Sequence, residues 1–170
     1  MTRLAQAPLF DIPAVGVYPV TVAQANELLM HWGHKLGACE RPFYSEAFAL
    51  LVHQRPVAVA ISASVVGQPV AGFRRYEVVE LARQAACEPW ANRVMIRLWR
   101  EVCAPAWKCW PVKAAVSYSH NGMHSGDLYR FDGWEKVRED CGSSGGGTWS
   151  SPRAKGDAMH GRKTLWIWRY

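Results

Sequence analysis

The chain has 170 residues, with 20 Lys+Arg against 14 Asp+Glu and a formal charge of +6. A chain of this length fits one domain and buries about 70% of its unfolded surface, so it needs no metal or disulfide staple to fold. With 49% hydrophobic and 20% charged residues it is neither disordered nor collagen-like, and no apolar run nears the roughly 18 residues of a membrane span.

Residues 1–20 read as irregular, with Pro8, Pro13 and Pro19. Their start lacks the apolar core of a secretory signal, so a cytoplasmic location is expected. A helix is predicted from Thr21. Thr21-Val-Ala-Gln24 fits a capping box, and Val22, Ala25, Leu28, Leu29 and Trp32 recur on one face. Gly33 and Gly37 end it. Phe48–Val52 and Val57–Ser64 read as a hairpin joined by His53–Pro56, and Tyr76–Ala82 as a third strand. A helix follows over Pro89–Cys103, with Pro in its first turn and Pro105 beyond its end. Val112–Ser119 is another strand. A short helix spans 126–131 with Gly133 as its left-handed cap. Trp134–Arg138 and Thr164–Tyr170 are the last strands, separated by a flexible Gly/Ser-rich loop over 142–162. The order predicts one α/β (α+β) domain over 1–170, a central mixed, mostly antiparallel sheet flanked by helices. Five cysteines without a CxxC support neither a disulfide framework nor a zinc ribbon.

Several side chains carry chemistry. His124, Tyr129, Ser117 and Tyr118 fall where a strand end meets a helix start, a place where open sheets bind ligands. There Tyr can serve as general acid and His as base; the plain alternative is that Tyr129 packs and His124 caps the short helix. His34 and His120, with His31, His124 and Asp127, offer imidazole and carboxylate ligands for zinc or iron, against the plain reading of surface histidines. Glu80 and Arg83 lie three apart on a strand, which predicts opposite faces. Arg93, Arg97 and Arg100 form one basic helix stripe, opposite Ala91, Met95, Leu98 and Val102, which can pack on the sheet; the stripe is either a solvated face or a contact to phosphates. Residues 151–170 hold Arg153, Lys155, Arg162, Lys163 and Arg169 against Asp157, so five minus one leaves +4. Trp149, Trp166, Trp168 and Tyr170 accompany them. Basic grooves with aromatic platforms bind nucleic acid, while Trp166 and Trp168 could equally cover the sheet.

Four segments occur in order: Val79-Glu80-Leu81-Ala82-Arg83, Asn92 early in a helix, Val116-Ser117-Tyr118-Ser119, and His124-Ser-Gly-Asp-Leu-Tyr-Arg-Phe-Asp-Gly-Trp134. The series resembles the GNAT-like acetyltransferase fold and, more narrowly, the phage Mom-type DNA-modification proteins and their relatives, over roughly 45–140. Trp32-Gly33-His34 is similar to a further Trp-His element of that group. The usual acetyltransferase pyrophosphate loop is replaced here by Arg83–Trp90, in which Pro89 lacks an N–H. The resemblance implies an enzyme that transfers an acyl-derived group to the exocyclic amine (N6) of adenine in DNA. It implies His124, Tyr129, Ser117, Tyr118 and Asp127 at the reacting centre, and Arg83, Asn92 and Arg93 on an acetyl-CoA-like or unknown activated donor. Iron, proposed for the Mom group, would fall to His34 and His120. DNA is then the partner, held by Arg97, Arg100, Trp149, Arg153, Lys155, Arg162 and Lys163, with the 142–152 loop as wedge or lid around an extruded base. No membrane is expected, and a homodimer is allowed for. The alternatives are an acetyl-CoA-dependent N-acetyltransferase of a small molecule or peptide, and a non-catalytic nucleic-acid-binding module.

Overall fold

The computed structural model describes residues 15–41, 43–67, 69–141 and 162–170. The helix at Thr21 forms as read. Thr21 Oγ1 accepts from the Gln24 N–H at 3.1 Å and Gln24 Oε1 accepts from the Thr21 N–H at 3.0 Å, which satisfies donors that a helix start otherwise leaves open. This helix, α1, spans Val22–His31. It is preceded by β1, Val15–Val20. Six of the residues expected to be irregular are thus a strand; β1 lies at the sheet edge, where a proline such as Pro19 is tolerated. Residues 1–14 lie outside the described part.

The hairpin is β2, Ser45–Val52, and β3, Arg55–Ala63. Its turn is tighter than predicted, because His53 and Gln54 both adopt positive φ, 47° and 64°, the conformation that matches strand twist in two-residue loops. β4 is Val78–Ala86, α2 is Pro89–Leu98, β5 is Ala114–His120, α3 is Asp127–Phe131, β6 is Glu135–Cys141 and β7 is Lys163–Arg169. The seven strands form one sheet, order β1-β2-β3-β4-β5-β7-β6. Among the described residues every pairing is antiparallel except β4 with β5. This is the mixed, mostly antiparallel sheet read from the sequence. Exposed β6 carries Glu135, Lys136, Arg138 and Glu139, charges that keep an edge from pairing with another chain.

The sheet buries both faces. Ala25 and Leu29 of α1 cover one, against Val59 and Ile61. Met95, Ile96 and Trp99 cover the other, against Val79, Leu81 and Trp166. Ala91 and Met95 pack as expected, but Val102 is 57% exposed. The cause is a change of helix type: after Leu98 the backbone widens into a π-type turn over Trp99–Cys103, with the Ala104 N–H reaching Trp99 O at 2.8 Å. Such widened turns shift the side chains that follow. Among the described residues no helix is long and apolar enough to cross a membrane.

Candidate active site

Among the described residues one pairing is parallel, and it is short. β4 and β5 pair from Val78↔Ala114 to Leu81↔Ser117 and no further, although β4 continues to Ala86 and β5 to His120. Beyond Leu81 and Ser117 the strands part. The edge of β4 facing β5 therefore carries unpaired backbone groups, which must find other partners. A cavity of about 960 Å³ occupies the fork, bounded by β4, the start of α2, the 117–132 segment and residues 32–36.

A bulge turns the site residues of β4. Leu81 opposes Ser62 and Arg83 opposes Ile61, leaving Ala82 as the extra residue. The prediction that Glu80 and Arg83 face opposite ways is corrected: a bulge breaks the two-residue alternation, and both line a smaller cavity beyond the fork. Glu80 is 5% exposed and bonded to Arg41. Burial pushes its carboxyl up while the Arg41 guanidinium pulls it down. Gln84, displaced to the other face, donates to Asn92 at O (2.8 Å) and Oδ1 (2.9 Å). Asn92 thus ties α2 to β4 at the cleft wall. Arg93 is exposed there.

At the fork's apex Ser117 Oγ donates to Leu81 O at 3.0 Å, bridging the strands where the ladder stops. A hydroxyl has one proton to give. Ser117 Oγ must then accept from Tyr129 Oη, 2.9 Å away, so a two-step donor relay runs Tyr129 to Ser117 to Leu81. Tyr129 stacks on Trp166, with centroids 5.5 Å apart at 14°, and meets Trp134 edge-on at 80°. Burial raises its pKa and keeps it a proton donor. Burial also holds Tyr118 protonated, its pKa pushed up to about 12. α3 reaches this position through Gly126, whose φ is +78° and whose missing Cβ would stand 2.4 Å from the Trp166 ring. Only glycine satisfies both demands.

Asp132 fixes the lower wall. It is 8% exposed and accepts from Arg100 Nε at 2.6 Å, Trp134 Nε1 at 3.1 Å and Arg97 Nε at 3.2 Å. Arg100 is 5% exposed and lies 3.8 Å over the Trp168 ring. Its predicted contact with DNA is corrected: the π turn carries its guanidinium into this network and away from solvent. Arg97 keeps a largely exposed side chain at the cleft. Trp166 and Trp168 pack against the sheet, Trp166 donating to Ser119 Oγ at 2.9 Å.

The histidines split. His34 Nδ1 accepts from the Leu36 N–H at 3.3 Å and His120 Nδ1 from the Gly122 N–H at 3.2 Å. Each therefore carries its proton on Nε2 when neutral. His34 is lowered to about 4 by burial, then by Arg83 and His124. His124 lines the cleft and is lowered by burial, then by Lys35 and His120, so near neutral pH it is an uncharged proton acceptor. Asp127 is half-exposed and paired with Arg130 at 2.7 Å on the surface of α3. Among the described residues no group of three His, Cys, Asp or Glu side chains converges as a metal site. The expectation of iron on His34 and His120 finds no supporting ligand set there, since backbone amides occupy both Nδ1 atoms.

Of the basic tail, Arg162 pairs with Asp140 on the surface at 3.4 Å and Lys163 lines the smaller cavity. Trp149, Arg153, Lys155 and the 142–152 loop lie outside the described residues. The sequence reading missed Arg41 and Asp132. Asp132 precedes Gly133-Trp134 and ends a helix, which marks it as a cap but gives no sign of its burial.

No family model and no curated protein matches the chain. Solved structures do. An acetyltransferase from Thermus thermophilus is similar at a TM-score of 0.54 and 16% identity, over 92% of this chain and 97% of that one. A GNAT family acetyltransferase from Elizabethkingia anophelis, with acetyl-CoA bound, is similar at 0.52 and 13% over 94% and 100%. Arabidopsis thaliana NAA60 with a bisubstrate analogue is similar at 0.58 and 11% over 91% and 97%. The seven-stranded sheet with its forked parallel pair and flanking helices is the fold of the GNAT acetyltransferases.

Proposed function

We propose that the protein is an N-acyltransferase that takes an acyl group from an acetyl-CoA-like thioester to an amine. The observation that carries this reading is the fork: an open strand edge beside the Tyr129–Ser117 donor relay, with an uncharged His124 on the same cavity. Acetyl-CoA bound to one structural neighbour of the same fold supports it. A thioester supplies an activated carbonyl and a thiolate leaving group. The unpaired edge of β4 over 82–86 fits its extended, amide-bearing arm. At the diphosphate end the amides are few: Pro89 has none to give, and the Ala91 N–H is taken by Glu88 O at 3.1 Å. Arg93 and Arg97, both on the cleft, would carry that charge through side chains instead.

In this reading His124 accepts the proton the amine loses as its nitrogen bonds the acyl carbon. As the C–S bond breaks, the departing thiolate takes up the proton His124 has accepted, while the Tyr129–Ser117–Leu81 relay holds the apex of the fork in place. Arg83 sits at the junction of the two cavities and orients the groups that meet there. The test is thiol release from acetyl-CoA across amine acceptors. His124→Ala should lower kcat by about 10²-fold or more, the usual size of lost acid–base catalysis. Absence of both acetyl-CoA binding and thiol release would overturn the reading.

A second reading of the acceptor, adenine N6 in DNA, rests on the sequence resemblance. Mass spectrometry of nucleosides from DNA exposed to the protein and donor reads it directly. A modified adenine that disappears in His124→Ala supports it, and unchanged DNA alongside an acylated small amine rejects it.

A further inference from the structure

Behind the fork lies a second cavity of about 240 Å³. It shares Leu36, Leu81, Ala82, Arg83 and Tyr118 with the larger one, so the two meet where β4 and β5 part. Its charges do not balance. Arg41, Arg83 and Lys163 line it against one carboxylate, Glu80, and Arg41 already holds that carboxylate. Among the described residues no other acid lines the cavity. Two nitrogen donors on its lining residues, Arg83 Nε and His120 Nε2, are buried and have no acceptor among the described residues. Unanswered donors and crowded cations away from water cost free energy, which an anion in the cavity would recover. Burial, and after it the neighbouring Arg83, lowers the Lys163 pKa.

We propose that this second cavity anchors an oxyanion, carboxylate or phosphate, on a small amine acceptor, placing the amine at the fork. The inference rests on the acyl-transfer reading for the amine's fate, and on the cavity alone for the anion. Arg41, Arg83 and Lys163 bind the oxyanion, Tyr118 forms the shared wall, and the amine nitrogen lies toward His124. The substrate class is then an amino acid or a phosphorylated amine rather than a polyamine.

Calorimetric titration of the full chain with phosphoethanolamine, β-alanine and ethanolamine tests this without requiring turnover. The probes share an amine and differ in the anion. Either anionic probe should bind about tenfold or more tighter than ethanolamine, as expected for hydrogen bonds to a charged group. Whichever of the two binds tighter names the oxyanion. In Lys163→Met the difference should collapse, and Lys163→Arg should restore most of it. Equal affinities, no detectable binding of either anionic probe, or a difference that survives Lys163→Met would overturn the proposal. Binding of an oligodeoxynucleotide without binding of either anionic probe would overturn it in favour of a nucleic-acid acceptor. Selective binding without thiol release when acetyl-CoA is added would leave the anion site standing and reject acyl transfer.

Discussion

The two cavities that meet at the fork are built on opposite plans. On the α2 side the donors find acceptors: Tyr129 to Ser117 to Leu81, Gln84 Nε2 to Asn92, and Arg100, Arg97 and Trp134 to Asp132, with Gln84 Oε1 left as a buried acceptor without a donor among the described residues. On the far side cations outnumber acids and buried donors go unanswered. A satisfied network holds its geometry before any ligand arrives, which is what a reacting centre requires. An unbalanced one gains most when a ligand completes it. The contrast separates a wall fixed by the fold from a surface shaped for a guest.

The sharpest way to break this contrast is at Asp132. Asp132→Ala leaves buried Arg100 with only the exposed Glu101 carboxylate as counter-charge, and denaturant unfolding should show a loss of about 3 kcal/mol. A loss within about 1 kcal/mol would mean that the network is ornamental and the α2 side is no more prebuilt than the other. Gly126→Ala comes next. It forces an L side chain into positive φ and into the Trp166 ring, and should cost about 2 kcal/mol of stability while displacing α3. Near-ultraviolet circular dichroism of the Trp166–Tyr129 stack should change with it. An unchanged spectrum and midpoint would show that α3 is not held by this close approach.

The smallest effect is one of pH. His34 is lowered in the folded chain to about 4 from an ordinary 6.5, so between those values the unfolded chain binds the extra proton. Stability should fall as pH drops from about 6.5 towards about 4 and should be insensitive to this residue above 6.5. His34→Asn should flatten that acid slope in a thermal-melting series; an identical slope in the variant would show that His34 is not held uncharged. The same measurement sharpens the comparison, because His34 stands on the wall of the larger cavity beside Arg83.

Much of the fold is legible in the residues. Thr21 and Gln24 announce α1 through a local capping exchange, Pro89 starts α2, Gly133 ends α3, and alternation with β-rich composition marks the strands. These signals act within a few residues, so spacing alone carries them. The candidate site is half legible. Ser117, Tyr118, His124 and Tyr129 were read at a strand end and do border one cleft. Arg100 was misplaced because a change of helix type after Leu98 is not written in a regular i, i+3, i+4 stripe. Arg83 was turned to the wrong face because a bulge at Ala82 depends on how β3 pairs with β4, not on the strand's own residues.

By itself, then, the sequence determined which segments become helix or strand and which polar side chains stand at the ends of β4 and β5, since capping, periodicity and turn chemistry are local. The tertiary structure alone decided that β4 and β5 pair briefly and then part, that Asp132 gathers Arg100, Arg97 and Trp134, and that Arg41, Arg83 and Lys163 share one cavity. Those outcomes depend on contacts between residues far apart in the chain, whose energies are set by burial and by partners that no local pattern encodes.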